Sequence, residues 1–342
     1  MENGISVIII TRNEALTIGK ALASVREFAD QVVLVDTGST DDTLRIAREH
    51  PQQPEIHQTP WQNDFSAVRN LAISLCKHAW CLVLDGDEYI DESCRPNVRR
   101  LIESKMGEDS GLLYAPLIDN LNGSLLRNNP RIFSRRETLR YTGRVHEYLR
   151  DSRGAGVACL HEIIIKHSGY LPDIYQQKNK YSRNKALLEM QISEEPDSFR
   201  WKYFHLRYME IPSPEALSVL HEFGRLPMPF ESDTEVYAFN AKSRLIQCLL
   251  EEGCWEEAQA QASELYRYYS DYDTTLLYIA ATLRSARSVF ENIIADCNEK
   301  LVKTSALMKH EYLHESTHPS LRDRLQDELT FLCSRLLNAE EK

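Results

Sequence analysis

The chain has 342 residues, 42% of them hydrophobic and 27% charged, with a formal net charge of −11. That is ordinary globular composition and enough length for two modest domains with cores of their own. The acidic balance argues against a nucleic-acid partner, because nothing would offset repulsion from a phosphate backbone; a metal or a single arginine in one pocket still admits a nucleotide.

No apolar run approaches the ~20 residues that span a bilayer, and the first residues show neither a basic nor an apolar signal region. The cysteines are dispersed and form no C-x-x-C pair. The expectation is a cytoplasmic protein with reduced, mostly buried thiols and no integral membrane segment.

In chain order, Ile5–Ile10 is rich in β-branched residues and predicts a buried strand that stops at Thr11-Arg12-Asn13-Glu14. Apolar residues at helical spacing come next, at Leu16, Ile18, Leu22 and Val25. Val32–Val35 predicts a second strand, which ends in Asp36-Thr37-Gly38-Ser39-Thr40-Asp41-Asp42-Thr43. A helix over Ser66–His78 leads to a third apolar run, Trp80–Leu84, closed by Asp85-Gly86-Asp87-Glu88. Short apolar strands alternating with helices read as βαβ units around a parallel sheet. Their polar tips then gather past the carboxyl ends of the strands, where open α/β sheets bind ligands.

From about residue 176 helix formers dominate. Trp201–Phe223, with Pro214-Glu215-Ala216, and Ala241–Tyr266, with Gly253-Cys254-Trp255-Glu256-Glu257-Ala258, resemble each other. Both look like the helix-turn-helix unit of tetratricopeptide repeats, although the interval from Ala216 to Ala258 exceeds the ~34 residues of that repeat. An irregular helical bundle is the alternative. The Tyr266–Tyr272 run reads as packing between helices. The expected division is an α/β domain over 1–175 and a helical domain over 176–342.

Asp85-Gly86-Asp87 carries the chemistry. Carboxylates at i and i+2 near a strand end point to one side, so both can address one cation, and Gly86 lets a diphosphate approach the backbone. Hard oxygen ligands suit Mn²⁺ or Mg²⁺. An acidic turn after a strand is more often merely solvated, but this one arrives at the same sheet edge as the other two polar tips. Asp36 can accept hydrogen bonds from a pyrimidine or a ribose, while Thr40 or Asp41 caps the following helix. Thr11 and Glu14 lie at the first tip, where Glu14 also suits the start of a helix dipole. Trp61 and Phe65 read as core ahead of a sugar platform.

Ser6–Glu14, Val35–Thr43 and Leu82–Glu88, in that order and spacing, resemble the motifs of family 2 glycosyltransferases with the GT-A fold. The resemblance covers about the first 170 residues. It implies an inverting transferase with a nucleoside-diphosphate sugar donor. Thr11, Glu14 and Asp36 would then lie on the base and ribose, Arg69 on the uracil or diphosphate, and Asp85 and Asp87 would form the DxD metal motif. Further motifs, Arg131-Ile132-Phe133, Gly143-Arg144-Val145-His146-Glu147 and His167-Ser168-Gly169-Tyr170, resemble a narrower branch. That branch joins the transferase domain to tetratricopeptide-like helices and includes peptide S-glycosyltransferases.

The chemistry is consistent with these roles. Negative charge builds on the leaving diphosphate, which a divalent ion and Arg69 can stabilise. Inversion needs a base for the acceptor proton, and Glu147 or His146 can serve. His167 is the expected third metal ligand. The function expected is transfer of glucose or N-acetylglucosamine from a UDP-sugar to a protein or peptide. A cell-surface glycan or lipopolysaccharide core is the alternative acceptor. A nucleotidyltransferase would need a Gly- and Lys-rich phosphate loop, which 6–14 lacks. A non-enzymatic helical scaffold with a decayed transferase domain is at odds with an intact Asp36, Arg69, Asp85 and Asp87.

Overall fold

The computed structural model describes residues 2–105, 111–170, 180–231, 234–285 and position 327. They fall into two compact units that divide between Gln191 and Ile192. The boundary expected between 175 and 176 lies outside the described residues.

The first unit opens with β1 (Glu2–Thr11), α1 (Ile18–Val25), β2 (Gln31–Asp36), α2 (Thr43–Glu49), β3 (Glu55–Gln58), α3 (Phe65–Leu75) and β4 (His78–Asp85). It continues through β5 (Glu88–Ile90), α4 (Val98–Glu103), β6 (Leu113–Asp119), β7 (Leu125–Leu126) and β8 (Ile132–Ser134). Then come the hairpin strands β9 (Leu139–Thr142) and β10 (Tyr148–Asp151), the long β11 (Val157–His167), and α5 (Lys180–Glu194), whose last three residues fall past the division. Among the described residues the main sheet runs β3-β2-β1-β4-β8-β6-β11-β5, with β7 on β6, and β9 pairs with β10 separately. β1 to β4 are mutually parallel, and β8, β5 and β7 run antiparallel to their neighbours, which makes the sheet a mixed one. This is the GT-A-like α/β architecture expected.

Both faces of this sheet are covered, which is why its strands read as unbroken apolar runs. Successive residues of β1 go to opposite sides. Ile5, Val7 and Ile9 pack with Ile18, Leu22 and Leu84, whereas Ile8 and Ile10 pack with Val68, Ala72 and Val83. Asp64 caps α3 by accepting from the Ala67 N–H at 3.0 Å. The helix stops at Leu75, three residues short of the sequence-based expectation. The sheet claims the next stretch of backbone: the Lys77 N–H donates to Gln31 Oε1 at 2.8 Å and the His78 N–H to Ser6 Oγ at 3.3 Å.

The second unit contains α6 (Phe199–Leu206), α7 (Pro214–Gly224), α8 (Glu235–Glu251), α9 (Trp255–Tyr268) and α10 (Tyr272–Ser285). Each of the two repeat-like stretches folds as a pair of helices, α6–α7 and α8–α9. Ser213 caps α7 by accepting from the Ala216 N–H at 3.2 Å, with Pro214 at the first helical position. Gly253, at φ +79°, lies in the turn between α8 and α9. Small residues at the crossings, Ala216, Ala258 and Ala262, let Phe223, Phe239 and Leu245 fill the core. Tyr269 from the tyrosine-rich run is buried against Phe230 and Phe239. No helix among the described residues is long and apolar enough to cross a membrane. Cys76, Cys81, Cys94 and Cys248 are buried free thiols, Cys159 and Cys254 are exposed ones, and Cys297 and Cys333 lie outside the described residues.

Candidate active site

Strand register brings the polar tips together. Thr11 of β1 sits opposite Asp36 of β2, and Ile10 opposite Asp85 of β4, so the three tips are adjacent at one sheet edge. β6 and β11 run in the same direction as β4, since β8 is antiparallel to both β4 and β6 and β11 is parallel to β6. Asn120 and His167 therefore arrive at the same edge. Gly86 makes the junction possible: a Cβ there would lie 2.9 Å from both Thr11 Oγ1 and Glu14 Cγ. A side chain would push the first tip away from the third.

A charged network fills the centre. The Arg69 side chain is only 6% exposed; its Nη2 donates to Asp85 Oδ1 at 2.8 Å and its Nε to Glu147 Oε1 at 2.6 Å. Its third nitrogen, Nη1, is buried without a hydrogen-bond partner among the described residues. Arg131 approaches from β8, with Nη2 at 2.9 Å from Glu88 Oε1 and 3.4 Å from Asp85 Oδ2. Glu88 Oε2 accepts from the Asp85 N–H at 2.9 Å. Burial opposes the charge on Asp85, but Arg69 and Arg131 outweigh it and hold the carboxyl well below the usual carboxylate range. Burial wins at Glu88, whose pKa is raised despite Arg131. The Tyr141 ring lies 5.3 Å from the Arg69 guanidinium, and burial pushes its phenol up to about 12.

Beside this network Asp87 and His167 form a pair, with Asp87 Oδ1 and His167 Nε2 3.5 Å apart. The Asn120 amide donates to Ser124 Oγ at 2.9 Å, which leaves Asn120 Oδ1 to meet His167 Nδ1 at 3.0 Å. That orientation puts the proton of a neutral ring on Nδ1 and the Nε2 lone pair towards Asp87. Burial lowers the His167 pKa, yet Asp87 and the nearby carboxylates raise it overall. Ser168 anchors the pair by donating from its N–H and Oγ to the Asp87 carbonyl, at 3.0 and 2.8 Å. Lys180 Nζ lies 3.7 Å from Asp87 Oδ2.

A Cβ on Gly169 would collide with the Asp87 carboxylate and lie 2.7 Å from His167 Nε2. The glycine keeps a cradle open around the two donors. A carboxylate oxygen and an imidazole nitrogen fit Mn²⁺ or Mg²⁺ with phosphate oxygens completing the shell. No group of three His, Cys, Asp or Glu is disposed around one metal position among the described residues. Asp87 and His167 are brought together; the Asp85 carboxylate is engaged by the arginines.

Asp36 is fully buried, its Oδ1 accepting from the Gly38 and Ser39 N–H groups at 3.0 Å each and its Oδ2 from the Ser39 hydroxyl. Asp41 ties the second tip to the first, accepting from the Thr43 N–H at 3.0 Å and the Ala15 N–H at 3.1 Å. Glu14 lies in the turn before α1, where its Oε2 accepts from Thr17 Oγ1 at 2.9 Å. Thr11 is buried, and its Oγ1 has no hydrogen-bond partner among the described residues. His146, at φ +53°, precedes Glu147 in the loop between β9 and β10. Trp61 and Phe65 meet edge-on at 4.7 Å and are half-buried.

The sequence motifs include Glu88 and Arg131 without pointing to a role for either, and nothing in the sequence singles out Asn120 or Tyr141.

Residues 6–150 match the family model of Glycosyl transferase family 2. The match lies within the first unit. The chain is 26% identical over 204 residues to the SPbeta prophage-derived glycosyltransferase SunS of Bacillus subtilis, covering 59% of this chain and 48% of that one. It is 30% identical over 203 residues to a TPR repeat-containing protein of Synechococcus elongatus, covering 56% and 49%. The chain thus spans about half the length of these curated relatives. Among solved structures, S. aureus TarS 1-349 in complex with UDP-GlcNAc aligns over 88% of this chain and 92% of its own, at 14% identity and a TM-score of 0.40.

Proposed function

We propose that this chain is an inverting, metal-dependent glycosyltransferase that moves glucose or N-acetylglucosamine from a UDP-sugar to a protein or peptide in the cytoplasm. The observation that carries the reading is Arg69, fixed between Asp85 and Glu147 with Nη1 left over, beside the Asp87–His167 pair. Thr11, Glu14 and Asp36 border the space for the nucleoside, Asp36 by holding the shape of its turn.

A divalent cation held by Asp87 and His167, with Asp85 behind them, would offset the charge developing on the leaving diphosphate. Arg69 adds a fixed positive charge at the same place, in a site where burial strengthens it. Glu147 takes the acceptor proton; Arg69 holds its Oε1, and its Oε2 makes no hydrogen bond among the described residues. His146 is the neighbouring alternative for that proton. A cysteine acceptor, with a thiol pKa of ~8.5, would depend on this base less than a hydroxyl would. The helical hairpins support a polypeptide acceptor, since stacked helix pairs build surfaces suited to peptides.

The test is UDP release from a panel of UDP-sugars, with and without chelator, followed by mass spectrometry of candidate acceptor peptides. Sugar transfer at full rate in chelator would refute the metal dependence, and absence of UDP release with every donor would refute the reading as a whole.

A further inference from the structure

We propose that Asn70 is a positioning residue that staples the β9–β10 hairpin to α3 and so delivers Glu147 to Arg69. Asn70 directly follows Arg69 on α3. Its Nδ2 donates to the Tyr141 carbonyl at 2.9 Å, and its Oδ1 accepts from the Tyr141 N–H at 2.8 Å. One side-chain amide thus satisfies both backbone groups of a strand residue, as a neighbouring strand would. These partners also settle which end of the amide is oxygen.

Leu139, Tyr141 and Leu149 share a buried core with Val68 and Ala72 of α3, and the staple adds hydrogen bonds from that helix to the hairpin backbone. A lone two-stranded ribbon is marginal in water, and β9–β10 pairs with no strand of the main sheet among the described residues. Tyr141 sits opposite Leu149 and Thr142 opposite Tyr148, so residues 142–146 alone separate the staple from Glu147. A second tie closes the loop onto the start of the same helix, where the Phe65 N–H donates to the Arg144 carbonyl at 2.9 Å. The same staple sets the Tyr141 ring against the Arg69 guanidinium, 5.3 Å away. One helix therefore holds the arginine and registers the hairpin that brings its carboxylate partner.

The role of Asn70 in turnover rests on the assignment of Glu147 as base, whereas the staple itself does not. The experiment combines amide hydrogen exchange with kinetics on the full chain. In Asn70→Ala, exchange of the Tyr141 amide and of residues 139–151 should speed up at least tenfold while α3 keeps its protection. The value of kcat should fall at least tenfold, with KM for the UDP-sugar changed less than threefold. In a Glu147→Gln background the same substitution should cost nothing further, because the group it positions is already gone.

Unchanged exchange in the hairpin would overturn the staple. A full additional loss in the Glu147→Gln background would overturn its action through Glu147. If the wild-type chain turns over no UDP-sugar, the functional reading fails while the exchange result still decides the staple. Should Asn70→Ala not fold, Asn70→Asp keeps the shape and the acceptor for the Tyr141 N–H but sets a carboxylate against the Tyr141 carbonyl. It should loosen the hairpin in the same way, and failure to do so would count equally against the proposal.

Discussion

Removing the cation that bridges the acidic motif, as in Arg131→Met, should destabilise the first unit sharply. The Arg131 side chain is 9% exposed and that of Glu88 1%, while Asp85 is 32% exposed. Asp85 keeps Arg69 as a partner at 2.8 Å, so the loss falls mainly on Glu88, a buried carboxyl left without its counterion. Breaking one side of such a pair costs about 3–5 kcal/mol, whereas removing both charges together is near neutral. The double variant Arg131→Met with Glu88→Gln retains an oxygen to accept from the Asp85 N–H. It should recover to within about 1.5 kcal/mol of wild type, the scale of a single imperfect hydrogen bond. Urea unfolding monitored by circular dichroism, comparing midpoint and slope, measures both variants. A loss below about 1 kcal/mol in the single variant, the ordinary size of a point substitution, would refute the reasoning. So would a double variant no better than the single.

Asp87→Asn and Asp85→Asn should each lower transfer by at least ~100-fold, the first by removing a hard ligand and the second by freeing Arg69; wild-type rates in the pair of substitutions together would sink both roles. Gly169→Ala places a methyl group where Asp87 and His167 meet, so Mn²⁺ affinity measured by calorimetry in the presence of UDP should fall at least tenfold without loss of the fold. Asp30 accepts from the Ile5 N–H at 2.9 Å and from Arg99 at 2.7 Å. Burial raises its pKa, but these partners lower it below the usual carboxylate value overall. Its contribution is therefore present above the unfolded pKa and lost as pH falls through the lower folded one. The stability gap between wild type and Asp30→Asn, about 1 kcal/mol at pH 6, should close as pH drops from 5 towards 3, and a gap that widens there would contradict the ion pair.

The sequence by itself determined the alternation of apolar strands and helices, and with it the α/β class, because a sheet covered on both faces demands nearly continuous apolar runs such as Ile5–Ile10, Val32–Val35 and Trp80–Leu84. It also announced the acidic turn Asp85-Gly86-Asp87 and the order of the polar tips, since those lie a fixed number of residues after each strand. The helix pairs of the second unit were legible from Pro214 and Ala216 in one and Gly253 and Ala258 in the other. What only the tertiary structure decided is which charges meet. Arg131 lies 46 residues from Asp85, Glu147 lies 78 from Arg69, and Asn70 lies 71 from the backbone it holds. No local spacing encodes those distances. They arise when β8 inserts beside β4 and the hairpin closes onto α3, and only then does burial make an arginine choose between carboxylates that the sequence presents as equals.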